Sequence, residues 1–263
     1  MTRMFFYLLL SLSVLFTSCI PVKDLTYLQD KNTSIEQSNI SVVQSKPYRL
    51  QVSDILKINI KAIDPKLVSI FNTTENNVDV VKSESSLYFD GFTVDDHGNI
   101  RVPVLGEINV MGYTLEEVRI KIEKQLLEEY FKSEANIFVT VKLAGFRYTI
   151  NGEVGSTGTK TLFQDHVNIM EAIANSGDIT TVGNRKSVTV IRQTPTGVEM
   201  NDIDLTDKNV MKSPYYYLQP NDYVYVKPLK QKTWGTGQTG IQSIGTIITL
   251  LSLATTVYLI IKN

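Results

Sequence analysis

From Ile241 to Ile261 the chain carries no charged residue. As a helix this run would reach ~31 Å, enough for the hydrocarbon core of a bilayer, so it predicts a transmembrane helix over 241–261. A second, mostly apolar run lies near the other end. Arg3 precedes Met4 to Phe16, and the run closes in Phe16-Thr17-Ser18-Cys19, with Cys19 the only cysteine in the sequence. The roughly 220 residues in between have the make-up of water-soluble α/β modules. Few soluble enzymes need two membrane-touching segments, and that pairing narrows the function more than any internal motif does.

The first run resembles a bacterial lipoprotein signal, in which small residues precede a cysteine that becomes the new N-terminus and is acylated on its sulfur. The resemblance makes 1–18 a signal peptide and Cys19 the lipid attachment residue. A single cysteine excludes a disulfide within one chain. Each buried methylene of an acyl chain contributes ~0.8 kcal/mol, so two or three chains tether firmly. Ile20 follows the cysteine in place of the aspartate that often retains lipoproteins in the inner membrane. By analogy this favours an outer-membrane, lipid-anchored protein with its soluble domains in the periplasm. A net charge of -1 with 20% charged residues leaves no basic stripe for a phosphate backbone, and nucleic acid is excluded as a partner.

Residues 19–46, rich in Ser, Asn and Gln, read as a lipidated extended arm leading away from the lipid. Leu50, Val52, Leu56, Ile58 and Ile60 then alternate with polar residues as a half-buried strand, broken by a turn around Ser53-Asp54. Asn72 to Ser86 is polar and reads as a surface insertion. Asp95 to Asn99, with Gly98, predicts a turn joining strands at Phe92–Val94 and Ile100–Val104, and Pro103 marks a strand end. Thr114 and Glu117 form a capping-box pair. Behind them Leu115, Val118, Ile122, Leu126 and Tyr130 recur along one helix face. Ile137, Val139, Val141 and Leu143 close the first module as a strand.

A second module opens near Phe146, with Tyr148 and Ile150 alternating toward a glycine-rich turn. A short helix is predicted over Ile169–Ala174, capped by Asn168 and stopped at Gly177. Val188, Val190 and Arg192 form a strand before the Thr194–Gly197 turn, and Leu218 to Asp222 turns into Val224–Val226. The predicted class is α+β: two small β-rich α/β modules, the second a β-grasp-like sandwich, followed by the C-terminal transmembrane helix.

These motifs, in this order, resemble the bacterial outer-membrane polysaccharide export proteins, the capsule and exopolysaccharide translocon lipoproteins, in a compact Bacteroides-like form. The export domain, 47–145, is similar through Tyr48 to Leu56, Gly98 to Gly106 and Gly112-Tyr113-Thr114. A β-grasp soluble-ligand-binding domain, 146–228, is similar through Gly152-Glu153-Val154, Glu171-Ala172-Ile173 and Gln219 to Val226. Ser53 stands where the family usually has glycine, and no departure removes a chemical group. The resemblance implies a homo-oligomeric ring that passes capsular or extracellular polysaccharide across the outer membrane, with an inner-membrane polysaccharide copolymerase as partner.

On a helical wheel Gln242, Gly245, Thr246, Thr249, Ser252 and Thr256 share one arc, opposite Ile244, Ile247, Ile248, Leu251 and Tyr258. Such a stripe suits either a water-filled pore lined by several copies or a seam of close helix packing. With the family resemblance, Gln242, Thr246, Thr249, Ser252 and Thr256 become the candidate pore-lining residues. Four helices would leave a gap of only ~2 Å radius and eight ~8 Å, so about six or more copies are needed to pass a sugar chain. Residues 229–240, with three glycines, read as a flexible linker. No phosphate loop, nucleophile elbow or zinc spacing appears, and no cofactor, metal site or enzymatic activity is expected. Asp95-Asp96 reads as a turn signal, His97 and His166 as surface residues, and Tyr215-Tyr216-Tyr217 either as sugar-stacking rings or as a strand packed between modules. The alternative to a channel is a membrane-anchored periplasmic scaffold that binds a protein or glycan without forming a pore.

Overall fold

The computed structural model describes residues 20–31, 46–72, 88–131, 136–194, 196–233 and, in the C-terminal segment, 248, 249, 251–253, 255 and 256. The expected signal peptide, Cys19, most of the 72–86 insertion, the linker from 234 to 240, and Gln242 and Thr246 lie outside them. Among the described residues no helix is long and apolar enough to cross a membrane, and the expected span 241–261 is described at only seven positions, all helical.

The chain is a mixed α/β structure of sheets with few helices. After a helical turn α1 (Val22–Leu25), the first group of elements is β1 (Ile55–Lys61), α2 (Pro65–Val68), β2 (Phe92–Thr93), β3 (Asn99–Val102), β4 (Gly106–Asn109), α3 (Leu115–Glu129) and β5 (Phe138–Leu143). A three-stranded antiparallel sheet runs β2-β1-β5, and β3 and β4 form a separate hairpin. Leu56, Ile58 and Ile60 alternate inward along β1, while Val118, Ile122 and Leu126 bury one face of α3 in the same cluster. Thr114 accepts from the Glu117 backbone and Glu117 from the Thr114 backbone, so the expected capping box starts this helix.

The second group is β6 (Phe146–Gly152), β7 (Gly158–Leu162), α4 (Ile169–Ala174), β8 (Gly183–Thr194), β9 (Gly197–Ile203), a 3-10 turn (Lys208–Lys212), β10 (Tyr223–Pro228) and α5 (Lys230–Thr233). Its five strands order as β7-β6-β10-β8-β9, with β6 and β10 parallel and the other neighbours antiparallel. Tyr148, Ile150, Val188, Val190, Val224 and Val226 are buried with Ile169, Ala172 and Ile173 of α4 in a second cluster. The Tyr148 hydroxyl reaches through that core to donate to the Ala172 carbonyl at 2.9 Å. The two clusters part at Ala144-Gly145, where Gly145 has φ +150°.

Several sequence expectations change. Leu50 and Val52 precede β1 in a bend, because Ser53 takes φ +72° and ends the extended run before it pairs. The Asp95–Asn99 turn joins β2 to β3 as expected, but the two do not pair with each other: β2 pairs with β1, and β3 with β4 across the Pro103-Val104-Leu105 turn. Sequence reading missed β7 and β9, both edge strands. Val198 and Met200 on β9 face solvent, so burial leaves no alternation there to read.

Residues 20–31 do not stand away from the second module. Leu28 and Gln29 donate backbone bonds to the Leu205 and Thr206 carbonyls at 3.0 and 2.8 Å, and the Lys208 N–H returns one to Gln29 at 3.1 Å. Lys31 pairs with Asp204 at 2.6 Å, Lys208 with Asp30, and Lys186 with Asp24. Tyr27 packs on the second core under the Arg185 guanidinium, 5.1 Å from the ring centroid. The far end of β10 reaches the same place: Pro228 pairs with Gly183, and Leu229 donates to the Val182 carbonyl at 2.8 Å. The segment that follows Cys19 and the segment that leads toward 241 therefore meet at the start of β8.

Candidate functional site at the junction of the two modules

One turn occurs twice. Leu50-Gln51-Val52-Ser53-Asp54 leads into β1, and Leu218-Gln219-Pro220-Asn221-Asp222 leads into β10. In each the glutamine N–H donates to the aspartate carboxylate, Gln51 to Asp54 at 2.8 Å and Gln219 to Asp222 at 2.7 Å. In each the residue before the aspartate takes a left-handed backbone, φ +72° at Ser53 and +67° at Asn221. Each of these residues donates its N–H to a carbonyl of a neighbouring segment, Ser53 to Val94 at 2.9 Å and Asn221 to Arg147 at 2.7 Å. A buried carboxylate thus satisfies the backbone at the start of each strand, where an orphaned N–H would be costly.

The two turns touch. Asn221 Nδ2 donates to Asp54 Oδ1 at 3.1 Å, while the Tyr48 hydroxyl and the Gln51 N–H donate to Asp54 Oδ2, both at 2.8 Å. Asp54 is 4% exposed, and burial pushes its carboxyl above the ordinary range against the pull of these three donors. Burial and the facing Asp54 charge push the Tyr48 phenol far above its ordinary value. Asp222, 1% exposed, is instead gripped by Arg192, Nε to Oδ1 at 3.0 Å and Nη2 to Oδ2 at 2.8 Å, a bidentate pair. Burial raises this carboxyl too, and the guanidinium draws it back. Arg192 also donates to the Tyr217 carbonyl at 3.1 Å and lies 4.9 Å from the Tyr215 ring centroid.

Beside these pairs a cleft of about 1210 Å³ opens between the modules. Its first-module wall comes from Lys46 to Gln51 and the start of α3, and its second-module wall from Arg192 to Thr194 and Ser213 to Pro220. Tyr215 is fixed by its hydroxyl bond to Glu199 Oε2 at 2.6 Å, and Tyr217 packs edge-on to Tyr216 with centroids 5.3 Å apart. The tyrosine run is no strand: Tyr216 enters the second core, and Tyr215 and Tyr217 line the cleft.

Of the residues singled out from sequence, Thr249, Ser252 and Thr256 fall on one helical row, and all three are exposed. Ser252 Oγ donates to the Thr249 carbonyl at 2.8 Å and Thr256 Oγ1 to that of Ser252 at 2.7 Å, so each of these two hydroxyls gives its proton to the backbone of its own helix. Asp95 Oδ1 accepts the N–H groups of His97 and Asn99 at 2.9 and 2.8 Å and so organises a turn. His166 lines the cleft, a position its sequence gave no sign of. Among the described residues no three His, Cys, Asp or Glu side chains gather into a metal-binding group. The sequence signal common to the two turns is Leu-Gln, two residues, then Asp.

Residues 42–143, which carry the first of these turns and nearly all of the first core, match the family of polysaccharide biosynthesis/export proteins. The chain is also similar to the EPS I polysaccharide export outer membrane protein EpsA of Ralstonia nicotianae, 27% identical over 157 residues, covering 57% of this chain and 40% of that one. The protein of the same name from Ralstonia solanacearum is 27% identical over 170 residues, covering 60% and 43%. The chain thus spans about two fifths of the length of these curated relatives. Through its first module, with its buried aspartate turn, the chain is similar to the polysaccharide export proteins.

Proposed function

We propose that the protein is an outer-membrane lipoprotein, acylated at Cys19, whose copies assemble into a ring that exports capsular or extracellular polysaccharide. The domain limits read from the sequence, 47–145 and 146–228, serve as the export and β-grasp ligand-binding domains of each copy. Residues 241–261 of each copy form one stave of the membrane crown, with Gln242, Thr246, Thr249, Ser252 and Thr256 toward the lumen. The observation that carries this reading is the meeting of the segment after Cys19 and the segment before 241 at one pole of the second module, the start of β8. A lipid and a helix leaving from one pole enter one membrane, which leaves the export module on the far side, facing an inner-membrane copolymerase. Hydroxyl side chains suit the cargo because they exchange hydrogen bonds with sugar hydroxyls without the grip of a charge. No catalytic step and no cofactor are part of this role.

The test is Thr249→Leu with Ser252→Leu. Surface polysaccharide should be lost while the detergent-extracted ring, seen by electron microscopy, persists. Unchanged surface polysaccharide would favour the alternative, an anchored periplasmic scaffold without a pore.

A further inference from the structure

We infer that the cleft between the two modules is a binding track for the carried glycan, one that takes a stretch of neutral, hydroxyl-rich sugar chain before it reaches the membrane. The inference rests on the export reading above and extends it to residues far from the C-terminal helix. Three observations carry it. The cleft, about 1210 Å³, exceeds the ~300–1,000 Å³ of pockets for small ligands, a size suited to a segment of polymer. Its aromatic surface is already set: Tyr215 is held by Glu199 and the Arg192 guanidinium, Tyr217 by Tyr216. Rings held this way lose little freedom on binding and offer flat apolar faces to the C–H faces of pyranose rings.

The third observation is charge. Lys46, Arg49 and Arg192 line the cleft against Glu116, Glu117, Asp165 and Glu199. The strongest of these are internally matched, Arg192 with Asp222 at 2.8 Å and Arg49 with Glu117 at 3.4 Å. With four acidic groups lining it against three basic ones, the cleft does not attract a polyanion such as a nucleic acid, and its open polar groups do not suit a lipid. Amides and hydroxyls at its rim, Gln51, Gln193 and Thr194 among them, match the donors and acceptors of sugar hydroxyls. The track and the crown would then contact one chain at two points.

The test places a photo-crosslinking amino acid in the full chain, in cells making the surface polysaccharide. The sites are Gln193, exposed at the cleft rim; Thr249, in the proposed crown; and Phe138, 65% exposed and away from the cleft. The expected result is a glycan adduct at Gln193 and at Thr249 and none at Phe138. A glycan adduct at Thr249 alone overturns the track and leaves the export reading standing. An adduct between two copies of the chain at Gln193, without glycan, overturns it in favour of a subunit contact. Glycan at neither Gln193 nor Thr249 overturns both the track and the export reading.

Discussion

Asp54 and Asp222 hold the same post in the two modules, yet they are neutralised differently, and their variants should behave differently. Asp222 faces a guanidinium inside the protein, so Asp222→Ala leaves a buried, unpaired Arg192. Loss of one partner of a buried ion pair costs about 3–5 kcal/mol, and the denaturation midpoint of the variant should fall accordingly. Replacing both residues with apolar ones of similar size should restore much of it. Asp54 faces only neutral donors, and burial has raised its folded value above the unfolded one. The stabilisation linked to its proton is complete below the unfolded value and is lost as pH rises through the folded one. Asp54→Asn carries no charge at any pH, and Asn221 can turn its amide to offer an oxygen. Its stability relative to the parent should be greatest at neutral pH, and the difference should shrink as pH falls, read from melting temperatures across a pH series. Asp202 runs the other way, since Lys227 holds it down to about 2. Its contribution is present above the unfolded value and fades as pH falls toward about 2, and half-exposure keeps it small.

At the scale of elements, the parts with local chemistry were legible. The helices at Leu115–Glu129 and Ile169–Ala174 begin at their capping boxes because cap and first turn are neighbours in sequence. β1, β5 and β6 show inward alternation for the same local reason. β7 and β9 were missed because they are edge strands whose outer residues are not buried, so no inward alternation marks them. The close parallel pairing of β6 with β10 depends on a glycine. At Gly152, φ is +98° and a Cβ would sit 2.0 Å from the Val226 carbonyl oxygen. Gly152→Ala should therefore cost about 3 kcal/mol or more, from the backbone strain and the displaced strand together. Urea unfolding of the purified chain measures it, and a cost under about 1 kcal/mol, the level of an ordinary surface change, would mean that β10 gives way easily.

At the scale of the whole molecule, the segment 20–31 is a strap across the second module. Besides its backbone bonds and ion pairs it is held at Tyr27, whose hydroxyl donates to Asp178; burial and that carboxylate push the phenol up to about 12. Tyr27→Ala removes this bond and the contact with Arg185, together worth about 1–3 kcal/mol. Amide hydrogen exchange at Leu28 and Gln29 should quicken about tenfold or more, the equivalent of ~1.4 kcal/mol in local opening. Exchange at Val188 and Val190 in β8 should stay unchanged. By itself the sequence determined the apolar runs, the lone cysteine, the capped helices and the family motifs, because each of these is written in neighbouring residues. The tertiary structure alone decided that the two repeated turns meet through Asn221 and Asp54, that Tyr215 and Tyr217 face one cleft, and that the strap and β10 share a pole. Such contacts join residues far apart in sequence, Asp54 and Asn221 by 167 positions, and they exist only where burial forces each polar group to find a partner, which no local pattern of residue types records.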